Sequence, residues 1–121
     1  MTDRTSAIQA CMRLKNVYED YPFDDDNWTA MRHRENGKIF ALIFFRNGDF
    51  WINLKALPQM GAVWRQQFPR SVFAAYHMNK MHWIGVLLDG SLSDELIFSL
   101  ISDSYVLTLP ASAKSRLRAK K

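Results

Sequence analysis

The residues most able to do chemistry gather in one short stretch, His77-Met78-Asn79-Lys80-Met81-His82-Trp83. Two imidazoles, an amide, an ammonium and an indole stand there, directly before the apolar run Ile84-Gly85-Val86-Leu87-Leu88. Imidazole titrates near neutrality, so His77 and His82 are the acid–base candidates. No nucleophile motif accompanies them, and Asp89 is separated from them by the whole apolar run. As metal ligands they need a third partner, which no Cys or nearby carboxylate supplies. Together with Trp83 they read as the frame of a ligand loop. Lys80 and Asn79 suit binding, because an ammonium and an amide on one loop can grip a phosphate or carboxylate. Trp83 offers a stacking face, or else simply begins a buried strand.

A second set of groups lies upstream. Arg32 and Arg34 share one face of a strand-like segment, Lys38 follows the turn, and Lys55 falls about two strands away. Trp51 and Asn53 point to the same kind of surface. A basic sheet face bearing aromatics is a nucleic-acid platform, and equally the polar side of a half-buried sheet. Asp24-Asp25-Asp26 lacks the spacing of a calcium loop and reads as a solvated turn. Met60, Met78 and Met81 read as packing, and Cys11 as an inert thiol on the apolar side of a helix. There is no Gly-rich phosphate loop, serine elbow or paired-acid motif. No catalytic residue, metal site or cofactor is therefore expected.

Local signals place these groups on elements. Residues 5–15 form an amphipathic helix with Thr5 or Ser6 as N-cap, its apolar face being Ala7, Ile8, Cys11, Met12 and Leu14. Residues 16–27 read as a long loop. Asn36-Gly37 and Asn47-Gly48 are type I′ hairpin signals, since both central residues of that turn need positive φ. They bound a meander of strands at about 29–35, 38–46 and 49–55. The middle strand is apolar on both faces, and the polar first strand suits an edge. Pro58 opens a helix over 58–68 whose Met60, Val63, Trp64 and Phe68 have core spacing. Residues 72–76 and 83–88 are strands, and Ser93 caps a last helix with a stripe of Leu96, Ile97, Leu100, Ile101 and Tyr105. The order α-βββ-α-ββ-α predicts an α+β two-layer sandwich, a mostly antiparallel five-stranded sheet with its helices on one face.

Composition agrees with one domain over 1–110. The chain has 121 residues, 48% of them hydrophobic and 13% aromatic, enough to bury a core without disulfides. The formal charge of +4 comes from the end of the chain. Lys114, Arg116, Arg118, Lys120 and Lys121 are five of the 16 basic residues, which leaves eleven against twelve acids before them. Residues 111–121 are accordingly expected to be a disordered basic tail. The lone cysteine and the missing apolar leader predict a cytoplasmic protein away from membranes.

Four blocks carry a resemblance: Tyr21-Pro22-Phe23, Asn53-Leu54-Lys55, Tyr76-His77-Met78-Asn79-Lys80-Met81-His82-Trp83 and Leu88-Asp89-Gly90-Ser91-Leu92. They resemble the signature blocks of the MmcQ/YjbR family from the first helix to about Leu109, most specifically around Asn79-Lys80 and His82-Trp83. The resemblance implies a fold related to the frataxin-like domain and to secretion chaperones. It also implies DNA binding through paired hairpins described as a double wing. Iron binding through acids, raised by the frataxin-like relation, does not suit acids confined to one loop. The expectation is a non-enzymatic protein that binds DNA weakly, mainly through phosphates gripped by Arg32, Arg34, Lys55, Asn79 and Lys80 with help from the tail. The alternative is a small-anion or protein-binding adaptor with a pocket around Lys80 and His82. An acid–base enzyme using His77 or His82 ranks third.

Overall fold

The doubly apolar run becomes the inner strand of a six-stranded antiparallel sheet in the computed structural model, which describes residues 1–119. The elements follow as α1 (Arg4–Met12), β1 (Val17–Asp20), β2 (Thr29–His33), β3 (Ile39–Arg46), β4 (Asp49–Lys55), α2 (Pro58–Gln67), β5 (Val72–Ala74), β6 (Trp83–Leu88), α3 (Asp94–Thr108) and α4 (Ala111–Ala119). Spatially the strands run β1-β2-β3-β4-β6-β5. The α+β class and the single layer of helices agree with the sequence reading, while the strand count rises from five to six.

The extra strand is β1, inside the segment expected to be a loop. Val17 is buried and pairs with His33, and Tyr18 pairs with Arg32. Four residues broken by two acids give too little alternation to read as a strand. Its presence means that β2 is not the edge. His33 is in fact 2% exposed, its ring packed between Phe40 and Tyr105 with Nε2 2.7 Å from Thr108 Oγ1.

The two Asn-Gly turns differ. Asn47 and Gly48 both have positive φ, 54° and 86°, as a two-residue hairpin loop requires. At the first pair only Gly37 does, at 70°. Asn36 instead spends its side chain on anchoring: Oδ1 accepts from the Lys38 amide at 3.0 Å, and Nδ2 donates to the Thr108 carbonyl at 3.1 Å. That bond satisfies one of the orphan carbonyls at the end of α3.

One face of the sheet carries the core. Ala7 and Cys11 of α1 and Ile97, Leu100 and Ile101 of α3 close over Ile43, Ile52, Leu54, Ile84, Val86 and Leu88. The α1 cap is Asp3, whose carboxylate accepts from the Ser6 amide at 2.8 Å, rather than Thr5 or Ser6. Ser93 caps α3 as expected. Helix α2 departs most from its pattern. Met60 and Val63 are exposed, Trp64 and Phe68 are half-buried, and Gly61 is the residue that touches the sheet. A Cβ there would stand 3.2 Å from Ile84 Cγ2, tighter than an ordinary contact, so an alanine would need the Ile84 side chain to give way. Residues 111–119, expected to be a frayed tail, are described as helix α4, tied by Ala113 burial and by Lys114 Nζ donating to the Leu107 carbonyl at 3.0 Å. Lys120 and Lys121 lie outside the described residues.

Candidate functional site

The sheet face turned away from the helices holds the more unusual surface. Strand register sends Leu42, Phe44 and Arg46 of β3 to it, with Trp51, Asn53 and Lys55 of β4 and Trp83, Gly85 and Leu87 of β6. Phe73 of β5 joins them opposite Gly85. Two loops add rings from above. Trp28, just before β2, stacks on Phe44 with centroids 4.6 Å apart, and Tyr76, just after β5, sits 6.0 Å from the same ring. Trp51 and Phe73 meet edge to face at 5.5 Å. The Trp51 indole N–H donates to the Arg46 carbonyl at 3.2 Å, which fixes the ring. The Arg46 guanidinium lies 4.0 Å above the Tyr76 ring, a cation–π contact at the rim.

Asn53 stands at the floor of this aromatic surface, fully buried. Its Nδ2 donates to the Tyr76 carbonyl at 2.8 Å, pinning the loop after β5 onto β4. Its Oδ1 is the one buried side-chain polar atom without a partner among the described residues. Such atoms are uncommon, because desolvating an acceptor without replacing its hydrogen bond costs about 1–3 kcal/mol. Directly across the register is Gly85. A Cβ at that position would sit 3.2 Å from Asn53 Oδ1, tighter than an ordinary contact, so any side chain there would press on the amide. Over the pair opens a hollow of about 250 Å³ walled by Phe44, Trp51, Phe73 and Tyr76. It falls just below the usual size range of ligand pockets, with room for one small ring system. A larger hollow of about 340 Å³ between α2 and α3 is mostly apolar, with Lys55 and Asp103 in its lining, and among the described residues it holds no unpaired buried polar side-chain atom.

The residues singled out by sequence divide into three groups. At one end of the open face, Arg32 and Lys55 lie two strands apart, roughly 10 Å by strand spacing. Arg32 is already engaged, donating to Asp20 at 2.8 Å and to the Gly37 carbonyl at 2.8 Å. Arg34 falls past the end of β2 and lies over the Tyr18 ring at 5.4 Å. In the 77–82 loop, Asn79 makes the turn itself: its Oδ1 accepts from the Met81 amide and its carbonyl from the Trp83 amide. Lys80 is exposed and makes none of the ion pairs among the described residues. Trp83 pairs with Lys55 on the open face and is half-buried.

The two candidate imidazoles part company. His77 has a φ of +62°, which folds its ring back to 3.9 Å from Tyr76 and 5.9 Å from Trp28. His82 is exposed, and its backbone carbonyl accepts from the Ala56 amide. Neither ring makes a side-chain hydrogen bond among the described residues, and these hold no cluster of three metal-ligating side chains. The hollow therefore opens beside Asn53 and not around Lys80 and His82. Sequence reasoning placed Asn53 on the polar side of its strand and missed its burial. The available signal was an Asn in one apolar strand and a Gly in another, both poor strand formers, which the register then sets face to face.

An antiparallel sheet with helices on one face and an aromatic, amide-floored hollow on the other defines a class of small open-faced α+β domains. A family model described as YjbR matches residues 12–107, and the chain belongs to the MmcQ/YjbR family. It is 42% identical to YbdF of Escherichia coli O157:H7 over 78 residues, covering 64% of this chain and 63% of that protein. The chain thus spans somewhat less than two thirds of YbdF. It is 34% identical to YjbR of Escherichia coli K12, covering 81% of this chain and 80% of that one. Among solved structures it resembles the Deinococcus radiodurans protein DR2400, with domain DUF419, at a TM-score of 0.83 and 28% identity, covering 97% and 88% of the two chains. A Pseudomonas syringae protein follows at 0.78 and 34%, covering 88% and 99%.

Proposed function

We propose that this protein is a non-enzymatic nucleic-acid-binding domain that takes unpaired bases on the open sheet face. The observation that carries the reading is the row of rings there: Phe73 and Tyr76 are 39% and 36% exposed beside a half-buried Trp51. Exposed rings on a sheet stack on bases that are not already stacked in a duplex, and base–aromatic stacking is tolerant of sequence. Arg46 at one rim and Lys55 and Lys80 toward the other supply phosphate contacts. Arg34, which lies over Tyr18 as Arg46 does over Tyr76, adds to these contacts, whereas Arg32 and Asn79 contribute less because their polar groups already have partners inside the molecule. Among the described residues no group hydrogen-bonds the His77 or His82 ring to orient it, which supports a binding role over acid–base chemistry. A small-ligand adaptor is the second reading, favoured by the hollow beside Asn53. No described helix is long and apolar enough to cross a membrane.

Titration of tryptophan fluorescence with an oligothymidylate and with a duplex of equal charge, at low and moderate salt, tests the proposal. Tighter binding of the single strand, with quenching that survives moderate salt, is expected. Equal binding of both that vanishes with salt, or that disappears when Lys114, Arg116, Arg118, Lys120 and Lys121 are replaced by Gln, overturns it.

A further inference from the structure

Resting on that reading, we infer that the hollow over Asn53 and Gly85 is a subsite for one planar nitrogen heterocycle, a nucleobase, whose ring N–H donates to Asn53 Oδ1. Three independent features converge there. The first is the orphaned acceptor: Nδ2 is held by the Tyr76 carbonyl at 2.8 Å, which orients the amide and aims Oδ1 away from that contact. A purely structural clasp would need only the Nδ2 bond. The second is Gly85. Glycine in a strand interior is destabilising by roughly 0.5–1 kcal/mol, and Gly85 lies in extended backbone where an alanine is conformationally allowed. What an alanine would do is fill the space 3.2 Å from Oδ1. The third is the wall. Trp51 and Phe73 meet at an interplanar angle of 63°, so one ring can lie against a flat ligand while the other closes its edge.

The recognised chemistry follows from this geometry. A flat, unsaturated ring uses the aromatic walls, a ring N–H satisfies the amide oxygen, and an attached phosphate lies within the field of Arg46. A carboxylate or a fully ionised phosphate monoester has no donor for Oδ1 and would meet a lone pair there. The subsite thus favours a base over a bare anion, which separates it from the electrostatic binding of the whole face.

The test uses monomeric nucleosides, so that it does not depend on oligonucleotide binding. Thymidine and N3-methylthymidine differ in the donor that Asn53 would accept. Amide NMR signals of the Asn53 side chain and of Gly85 are followed during titration with each. Thymidine is expected to shift both signals and to bind about tenfold more tightly than its N3-methyl form, the effect of one net hydrogen bond. Gly85→Ala, which keeps every ring and presses a methyl group on Asn53 Oδ1, is expected to abolish that preference. Equal affinity of the two nucleosides overturns the subsite while the sheet-face reading stands or falls on the oligonucleotide titration. Shifts by neither nucleoside also overturn it. If Gly85→Ala fails to fold, Phe73→Ala takes its place, and an unchanged thymidine affinity in that variant overturns the subsite.

Discussion

The two faces of one sheet are built by opposite rules. Toward the helices, Ile43, Ile52, Leu54, Ile84 and Val86 are wholly or almost wholly buried among aliphatic partners. On the other face, rings gather, a glycine faces a buried amide, and one buried polar side-chain atom has no partner among the described residues. The first face follows what stability requires. The second departs from it at Asn53 and Gly85, and local departures from packing rules concentrate where a protein does something besides fold.

If this division is right, stability and binding respond to different substitutions. The largest stability loss is expected from Ile52→Ala on the helix face, about 2–5 kcal/mol, read as a lower denaturation midpoint. Its folded fraction should keep the preference for single strands. Phe73→Ala on the open face should reverse the pattern. At 39% exposure its removal should barely move the midpoint, yet weaken oligothymidylate binding by about 1–3 kcal/mol. A similar loss of binding from both variants would break the division.

His33 supplies a smaller effect. Burial holds its pKa below the ordinary value of 6.5. The folded state therefore binds its proton less readily than the unfolded one, and stability that is full above about pH 6.5 is lost as pH falls toward the folded pKa. Chemical denaturation between pH 7.5 and pH 5.5 should show this decline, with a shallower slope in His33→Gln and no change in which face binds. The smallest effect is expected from Lys80→Gln, which should reduce the salt dependence of binding by about one phosphate contact without altering base preference.

Much of the fold was legible because periodicity and turn chemistry agree. Asn47-Gly48 fixed a hairpin, Ser93 a helix start, and the alternation of Phe50, Ile52 and Leu54 the inward face of β4. Strand β1 was not, because Glu19 and Asp20 leave it too few apolar positions to show a period. Helix α2 misled for a different reason. Its Met60 and Val63 have core spacing, but Gly61 makes the contact and turns them outward. The site was legible only in part. The density of polar groups at 77–83 drew attention to a loop whose Asn79 is occupied by its own turn. Its contribution to the site is Tyr76 and His77, which lie over the sheet as rings. Asn53 stayed hidden because its meaning depends on Gly85, thirty-two residues away in sequence and opposite in register.

The central claim is that binding occurs on the sheet face away from the helices. Amide chemical-shift mapping during titration with an oligothymidylate tests it most directly. The account predicts shifts centred on Trp51, Asn53, Phe73, Tyr76 and Gly85, with α1 and α3 unmoved. Shifts confined to α4 or to the helices, with that face silent, would contradict it.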